Sequence, residues 1–178
     1  MKTTSKSKNR LELLDMVTEA VTSDRIFETI NYQAQSEDKI KQFMYPNILA
    51  SFKKFLMEQR GYDASVADLK SKQSLLWEGN KKTTVKNMMF MGTQNRPDMV
   101  VELGDVKIAI EIKRGETGSD LRSGFGQSMV YATVYDFVLY LFIDISSDKK
   151  ILNSSTGGNE VDFVETIWKN WNIRFAIV

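Results

Sequence analysis

Arg96-Pro97-Asp98-Met99-Val100-Val101-Glu102-Leu103-Gly104-Asp105-Val106-Lys107-Ile108-Ala109-Ile110-Glu111-Ile112-Lys113-Arg114 alternates apolar and polar residues on both sides of a Gly-Asp pair. Val and Ile on the two flanks predict strands, and Gly-Asp predicts a two-residue hairpin turn with glycine first. With that turn the register follows by counting. Leu103 pairs with Val106, Val101 with Ile108, Met99 with Ile110, and Pro97 meets Ile112, which makes one face wholly apolar. The other face sets Glu102 against Lys107, Val100 against Ala109 and Asp98 against Glu111, with Lys113 one step further along. Side chains on a strand repeat with period two, so Glu111 and Lys113 share a face.

Directly opposed residues of an antiparallel pair have Cβ atoms only ~5 Å apart, and like charges there destabilise the sheet. Two carboxylates so placed call for a cation. Lys113 can serve in part, and a hard divalent ion with oxygen ligands suits the pair better. Without metal the pair is expected to be unscreened, so that Asp98→Asn would stabilise the fold.

The rest of the composition narrows the chemistry. The 178 residues predict one domain with a real core: residues 1–9 form a flexible basic tail and residues 10–178 the domain. Hydrophobic residues make up 42% and charged residues 26%, ordinary values for a soluble chain, and no apolar run approaches a membrane span. The basic, polar N-terminus has no apolar segment of the signal-peptide kind, so a cytoplasmic protein is expected. The chain has no Cys and no His, which removes disulfides, thiolate and imidazole metal sites, and Ser-His or Cys-His catalysis. Carboxylates, Lys, Tyr, Ser and backbone remain. Net charge is only +1, but Lys2, Lys6, Lys8 and Arg10, Lys53 and Lys54, Lys70 and Lys72, and Lys81, Lys82 and Lys86 are clustered as if to track a phosphate backbone. Solvated surface lysines are the alternative for each cluster.

Outward from the hairpin, Leu11, Leu14, Val17 and Val21 keep helical spacing, and Thr22-Ser23-Asp24 breaks that helix and caps a second piece through about Tyr32. Ser36-Glu37-Asp38 starts another helix, with Ile40, Met44, Ile48, Phe52, Phe55 and Leu56 as its stripe and Gly61 as its end. Pro46 predicts a kink there, or a true start near Tyr45. Residues 62–95 predict one or two strands, the second feeding the hairpin, with a mobile loop around Gly79 to Thr84. After the hairpin, Ser119-Asp120 caps a helix from about Leu121 to Val134. Its buried side carries Gly124, Gln127, Ser128 and Tyr131, flanked by Leu121 and Val134, and its solvent stripe Arg122, Gly126 and Thr133. Asp136 to Asp144 is an almost continuous apolar run that suits a central strand buried on both faces. Val161, Val164, Ile167, Trp168 and Trp171 then predict an amphipathic helix, and Ile173, Phe175 and Ile177 a closing strand.

Pro97-Asp98 followed by Glu111-Ile112-Lys113 resembles the PD-(D/E)XK nuclease superfamily, and Gln127-Ser128-Met129-Val130-Tyr131 is similar to the Q-x-x-x-Y motif of its RecB-like and lambda-exonuclease-like branch. The resemblance spans roughly residues 37–144 on a handful of motif residues. It implies an α/β restriction-endonuclease-like fold with an α-β-β-β-α-β core, a mixed central sheet flanked by helices, extra N-terminal helices, and a C-terminal helix and strand. It implies a Mg²⁺- or Mn²⁺-dependent deoxyribonuclease, with DNA rather than RNA as partner, no membrane, and a homodimer as an assembly to consider. Asp98, Glu111 and the backbone carbonyl of Ile112 would hold the metal. Lys113 would assist the attacking water, Gln127 would hydrogen-bond the site and Tyr131 would support it. Where relatives carry an acidic residue on the first core helix, Glu37 corresponds, with Glu28 and Glu58 as alternatives. Arg96, Arg114, Arg122, Lys81 and Lys82 would contact nucleic acid. Two other readings stay open: a catalytically lapsed nucleic-acid-binding or assembly module on the same fold, and a protein-interaction domain whose hairpin is only structural.

Overall fold

The computed structural model describes residues 7–80 and 85–178. Its helices and strands are α1 (Lys8–Val21), α2 (Asp24–Thr29), α3 (Glu37–Arg60), α4 (Ala64–Ser74), β1 (Leu75–Trp77), β2 (Met88–Phe90), β3 (Thr93–Asn95), β4 (Met99–Leu103), β5 (Val106–Gly115), α5 (Gly118–Tyr131), β6 (Phe137–Asp144), α6 (Lys150–Ser154), α7 (Gly158–Trp171) and β7 (Ile173–Ile177). The central sheet runs in the order β1-β4-β5-β6-β7. Its first three strands are antiparallel neighbours, and β5, β6 and β7 are parallel. The protein is therefore α/β, with a mixed five-stranded sheet flanked by helices.

The hairpin has the expected register from Leu103↔Val106 to Met99↔Ile110. Gly104 takes φ 62° while Asp105 stays at negative φ, so glycine supplies the one left-handed residue the turn requires. Because β5 alternates, Ile108, Ile110 and Ile112 face one layer together with Met99 and Val101. That layer is filled by Leu14 and Val17 of α1 and by Ile40, Met44, Ile48 and Phe52 of α3. Ala109, Val138, Tyr140, Phe142 and Ile173 face the other layer, with Tyr131 of α5 and Ile167 of α7. All eight residues of β6 are buried, as its apolar run requires.

Several expectations are corrected. Residues 8 and 9 belong to α1 rather than to a tail, and residues 1–6 of that tail lie outside the described residues. Arg10 in α1 pairs with Asp105 at 2.6 Å and Asp136 at 2.9 Å, which ties α1 to the hairpin turn. Ser36 caps α3 by accepting from the Lys39 N–H, and Gly61 ends it; α3 runs through Pro46, so it does not begin near Tyr45. Residues 64–74 are helix, capped by the Asp63 carboxylate on the Ser65 and Val66 N–H groups. Met88–Phe90 does not feed the main hairpin; it pairs with Thr93–Asn95 in a separate ribbon. Most of the expected Gly79–Thr84 loop lies outside the described residues.

α5 starts earlier than expected because Thr117, not Ser119, is its cap. Thr117 and Asp120 form a reciprocal capping box. The helix ends at Tyr131, so Val134 lies beyond it and is exposed. Among the described residues no helix is long and apolar enough to cross a membrane.

Candidate active site

β5 carries Glu111 and Lys113 to the side of the sheet covered by α5. Glu111 is only 1% exposed, and its Oε1 lies 3.3 Å from Lys113 Nζ. Asp98, 5% exposed, stands just before β4. The ladder stops at Met99↔Ile110, and the Asp98 side chain takes over. Its Oδ2 accepts the Ile112 N–H at 2.7 Å, so a carboxylate replaces the next backbone rung.

α3 delivers two more charged groups to this place. Glu37, in its first turn, accepts the Arg114 N–H at 3.2 Å and lies 3.6 Å from Lys113 Nζ. Lys41, one turn later, is buried; its Nζ lies 2.5 Å from Asp98 Oδ1, 3.0 Å from Glu37 Oε1 and 3.7 Å from Glu78 Oε1. Glu78, just after β1, donates its N–H to the Asp98 carbonyl at 3.1 Å and accepts from Arg96 at 3.0 Å. Asp98, Glu111, Lys113 and Glu37 are thus brought together as one cluster.

The expectation of an unscreened Asp98–Glu111 pair is corrected by Lys41, whose ammonium already neutralises Asp98. Burial alone would lower the Lys41 pKa, but Asp98 and Glu37 outweigh it and hold it above the ordinary lysine range. Burial pushes the Asp98 carboxyl up against the pull of Lys41 and the Ile112 N–H. Burial also pushes Glu111 up, and Asp98 adds to that push while Lys113 opposes it. Lys113 is raised because Glu111, Glu37 and Asp98 outweigh its own desolvation.

Two polar atoms in this site lack a hydrogen-bond partner. They are Glu111 Oε2 and the Tyr131 hydroxyl. Burial and the neighbouring Glu111 charge raise the tyrosine's pKa, so Tyr131 stands beside the carboxylate as a neutral phenol without a hydrogen bond of good geometry to it. Leaving such a group unsatisfied costs roughly 1–3 kcal/mol. Packing around Lys113 is tight: a Cβ on Gly124 would fall 2.6 Å from Lys113 Cγ and 2.6 Å from the Tyr140 hydroxyl, so only glycine lets α5 lie this close to β5. Gln127 shares the Gly124–Tyr131 side of α5, is half-buried, and makes no side-chain hydrogen bond.

The arginines divide. Arg96 and Arg114 border the cluster, the latter with its guanidinium donating to the Gln33 carbonyl. Arg122 is on the exposed stripe of α5 beside Gly118 and touches none of the cluster. Lys81 and Lys82 lie outside the described residues. Lys53 and Lys72 are both paired with Asp68, so those two clusters are partly spent on local ion pairs. Glu28 and Glu58 are likewise away from the cluster; Glu58 pairs with Lys54.

Lys41 and Glu78 were missed by sequence reasoning. The signal for Lys41 was present: positions 41, 44, 48, 52 and 55 keep helical spacing, so a lysine sits on the buried stripe of α3. A buried lysine requires carboxylate partners. Glu78 carried no such signal. Comparison of the chain with family models, with curated proteins and with solved structures finds no match.

Proposed function

We propose that this protein is a metal-dependent deoxyribonuclease of the PD-(D/E)XK kind, hydrolysing phosphodiester bonds at the Asp98–Glu111–Lys113 cluster. The observation that carries the reading is Glu111: almost wholly buried, beside Asp98, with one carboxylate oxygen left without a partner. A buried carboxylate with a raised pKa and an open coordination position suits a cation. The chain order α3-α4-β1-β4-β5-α5-β6 through the main sheet, with β5 and β6 parallel, supports the restriction-endonuclease-like core with α4 as an insertion, and Gln127 and Tyr131 on α5 support the branch.

The residues fit a magnesium-like ion. Among the described residues no three Asp or Glu side chains converge on one point. Mg²⁺ needs only one or two carboxylates, with water and substrate phosphate completing its shell. Asp98, Glu111 and the Ile112 carbonyl would hold Mg²⁺ or Mn²⁺. When bound, the ion supplies Lewis-acid polarisation of the phosphate and a more acidic water. Lys113, held between Glu111 and Glu37, directs its ammonium at the attacking water and at the charge growing on phosphate oxygen. Lys41, 3.0 Å from Glu37 and 3.7 Å from Glu78, would keep those two carboxylates as partners if Asp98 held a metal. Gln127 offers its free amide to a phosphate, and Arg96 and Arg114 border the path of the backbone.

One observation favours a second reading, a catalytically lapsed DNA-binding module: the Lys41 ammonium already occupies Asp98. Incubation with circular and linear DNA, with Mg²⁺ or Mn²⁺ and with EDTA, separates the two. Metal-dependent cleavage abolished by EDTA is expected; salt-sensitive DNA binding without cleavage would establish the second reading.

A further inference from the structure

The β2–β3 ribbon stands apart from the central sheet, and its turn is built from an unusual residue. Phe90 pairs with Thr93, so Met91-Gly92 is a two-residue turn, with φ 47° and 77° at its two positions. Positive φ at both positions is the turn that fits a twisted hairpin, and its first position is normally Asn, Asp or Gly. Methionine has no side-chain oxygen to bond locally and settle that backbone. Of the non-glycine residues at positive φ among those described, Lys149 and Asn172 cap helices, whereas Met91 sits at a tip. Its side chain is 88% exposed, beside Met89 at 67% and Phe90 at 42%. Backbone strain and apolar exposure therefore fall on one residue.

The foot of the ribbon is anchored near the candidate site. Met88 packs against the layer that holds Tyr131, the phenol beside Glu111, and Asn95 leads through Arg96 and Pro97 into Asp98. The tip itself stands clear: a Cβ on Gly92 would meet nothing within 4 Å. Charge on this stretch is of one sign. From Asn80 to Pro97 the chain carries Lys81, Lys82, Lys86 and Arg96 and no Asp or Glu. Arg96 is paired with Glu78, while Lys86 is exposed. The polar side chains of the ribbon and its foot are uncharged: Asn87, Thr93, Gln94 and Asn95.

We propose that the β2–β3 tip is a wedge for duplex DNA, Met91 entering between bases with Phe90 behind it. This inference rests on the DNA reading of the site. An apolar tip on a basic stretch matches a base stack behind a phosphate backbone, and apolar side chains such as Met and Phe enter base steps and kink the duplex. The amides favour bases over a lipid surface, since base edges offer them hydrogen-bond partners and acyl chains do not. Unstacking costs least where pairing is already broken, so the substrate class is DNA with a mismatch rather than a perfectly paired duplex. Seven positions separate Met91 from Asp98. At ~3.3 Å per residue the tip lies within about 23 Å of that carboxylate, which puts the cut strand within about seven base pairs of the opened step.

Met91→Asn tests the wedge without harming the fold, because Asn-Gly is the favoured pair for this turn, and Met91→Gly is its companion. In EDTA, where no metal-dependent cleavage occurs, the wild type should bind a duplex with one central mismatch more tightly than the matched duplex. It should also raise the fluorescence of an adenine analogue placed beside the mismatch. Both variants should keep the circular dichroism of the wild type, leave the fluorescence flat, and lose at least about fivefold in affinity for the mismatched duplex. Their salt dependence should match the wild type's, because methionine carries no charge. Undiminished mismatch binding by both variants, or a wild type that binds the two duplexes alike, overturns the wedge and leaves the nuclease reading standing. A wild type with no DNA affinity at low salt overturns both. Binding of phosphatidylserine vesicles instead of DNA, lost in Met91→Asn, would give the tip to a membrane and overturns the wedge equally.

Discussion

Glu111 on β5 and Asp144 at the end of β6 are carboxylates on neighbouring parallel strands, and both are sealed from solvent. Their surroundings differ. Asp144 Oδ1 accepts from the Ser146 N–H and hydroxyl, and its Oδ2 accepts from the N–H groups of Ile151 and Leu152 at the start of α6. Burial works to raise its pKa, but those donors hold it below the ordinary range. Glu111 has one lysine on one oxygen and, beside the other, only the Tyr131 hydroxyl without a hydrogen bond of good geometry, and its pKa is driven upward. Burial alone does not mark a site. A buried carboxylate whose needs are met by the fold is structural, and one left short is a candidate functional group.

The largest expected effect lies on the functional side of that contrast. Lys113→Ala should lower DNA cleavage by on the order of 10²–10³-fold, the loss of one positioned charge donor. DNA affinity should stay within a few-fold, because one phosphate contact is a small part of a multi-contact interface. Single-turnover cleavage and salt-matched binding measure the two; a large loss of affinity would make Lys113 a gripping residue.

Next comes the structural carboxylate. Asp144→Ala strands two helix N–H groups and the Ser146 donors, and should destabilise the protein by about 2–4 kcal/mol at pH 7 in denaturant titrations, with metal making little difference. Asp98→Asn should follow at about 1–3 kcal/mol of destabilisation without metal, because it deprives the buried Lys41 of its nearest counter-charge. That outcome is opposite in sign to the one the hairpin register alone implies. Stabilisation by Asp98→Asn would show that Lys41 does not screen the pair in solution.

Much of this molecule was legible in the chain, and the illegible parts share a cause. The β4–β5 register follows from turn chemistry and strict alternation, both local, so counting from Gly104 reaches Met99 and Ile110 without error. β6 was legible because eight buried residues in a row leave no other reading. α4 was hidden because only Ala67 and Ser71 on it are fully buried, too little for a visible stripe. The electrostatics of the site were hidden for a different reason: the stripe of α3 shows that Lys41 is buried, but it lies 57 positions before Asp98, and no local pattern says which carboxylate its ammonium will meet. Glu37 was legible as a helix start, and its approach to Lys113 belongs to the packing of α3 across the sheet.

The last effect carries a pH signature. Glu111→Gln keeps the shape of the side chain and removes the underpartnered charge. Since the folded-state pKa of Glu111 is raised to about 8, ionising it costs stability that first appears above its unfolded value near 4.5 and grows up to about pH 8. The metal-free variant should therefore match the wild type near pH 4 and exceed it at pH 8, with the margin widening between the two. Thermal melts at the two pH values read this directly. A variant less stable at pH 8 would mean that Glu111 is satisfied by the fold, as Asp144 is.

Isothermal titration of Mn²⁺ into wild type and Glu111→Gln, in buffers of different ionisation enthalpy, is the most direct test that this carboxylate is a metal ligand. The wild type should bind more tightly as pH rises from 6 toward 8 and release protons on binding, because the ligand carboxyls must ionise first. Glu111→Gln should show no saturable binding at the same site. Equal binding by the variant, or no binding by the wild type at pH 8, would contradict the account.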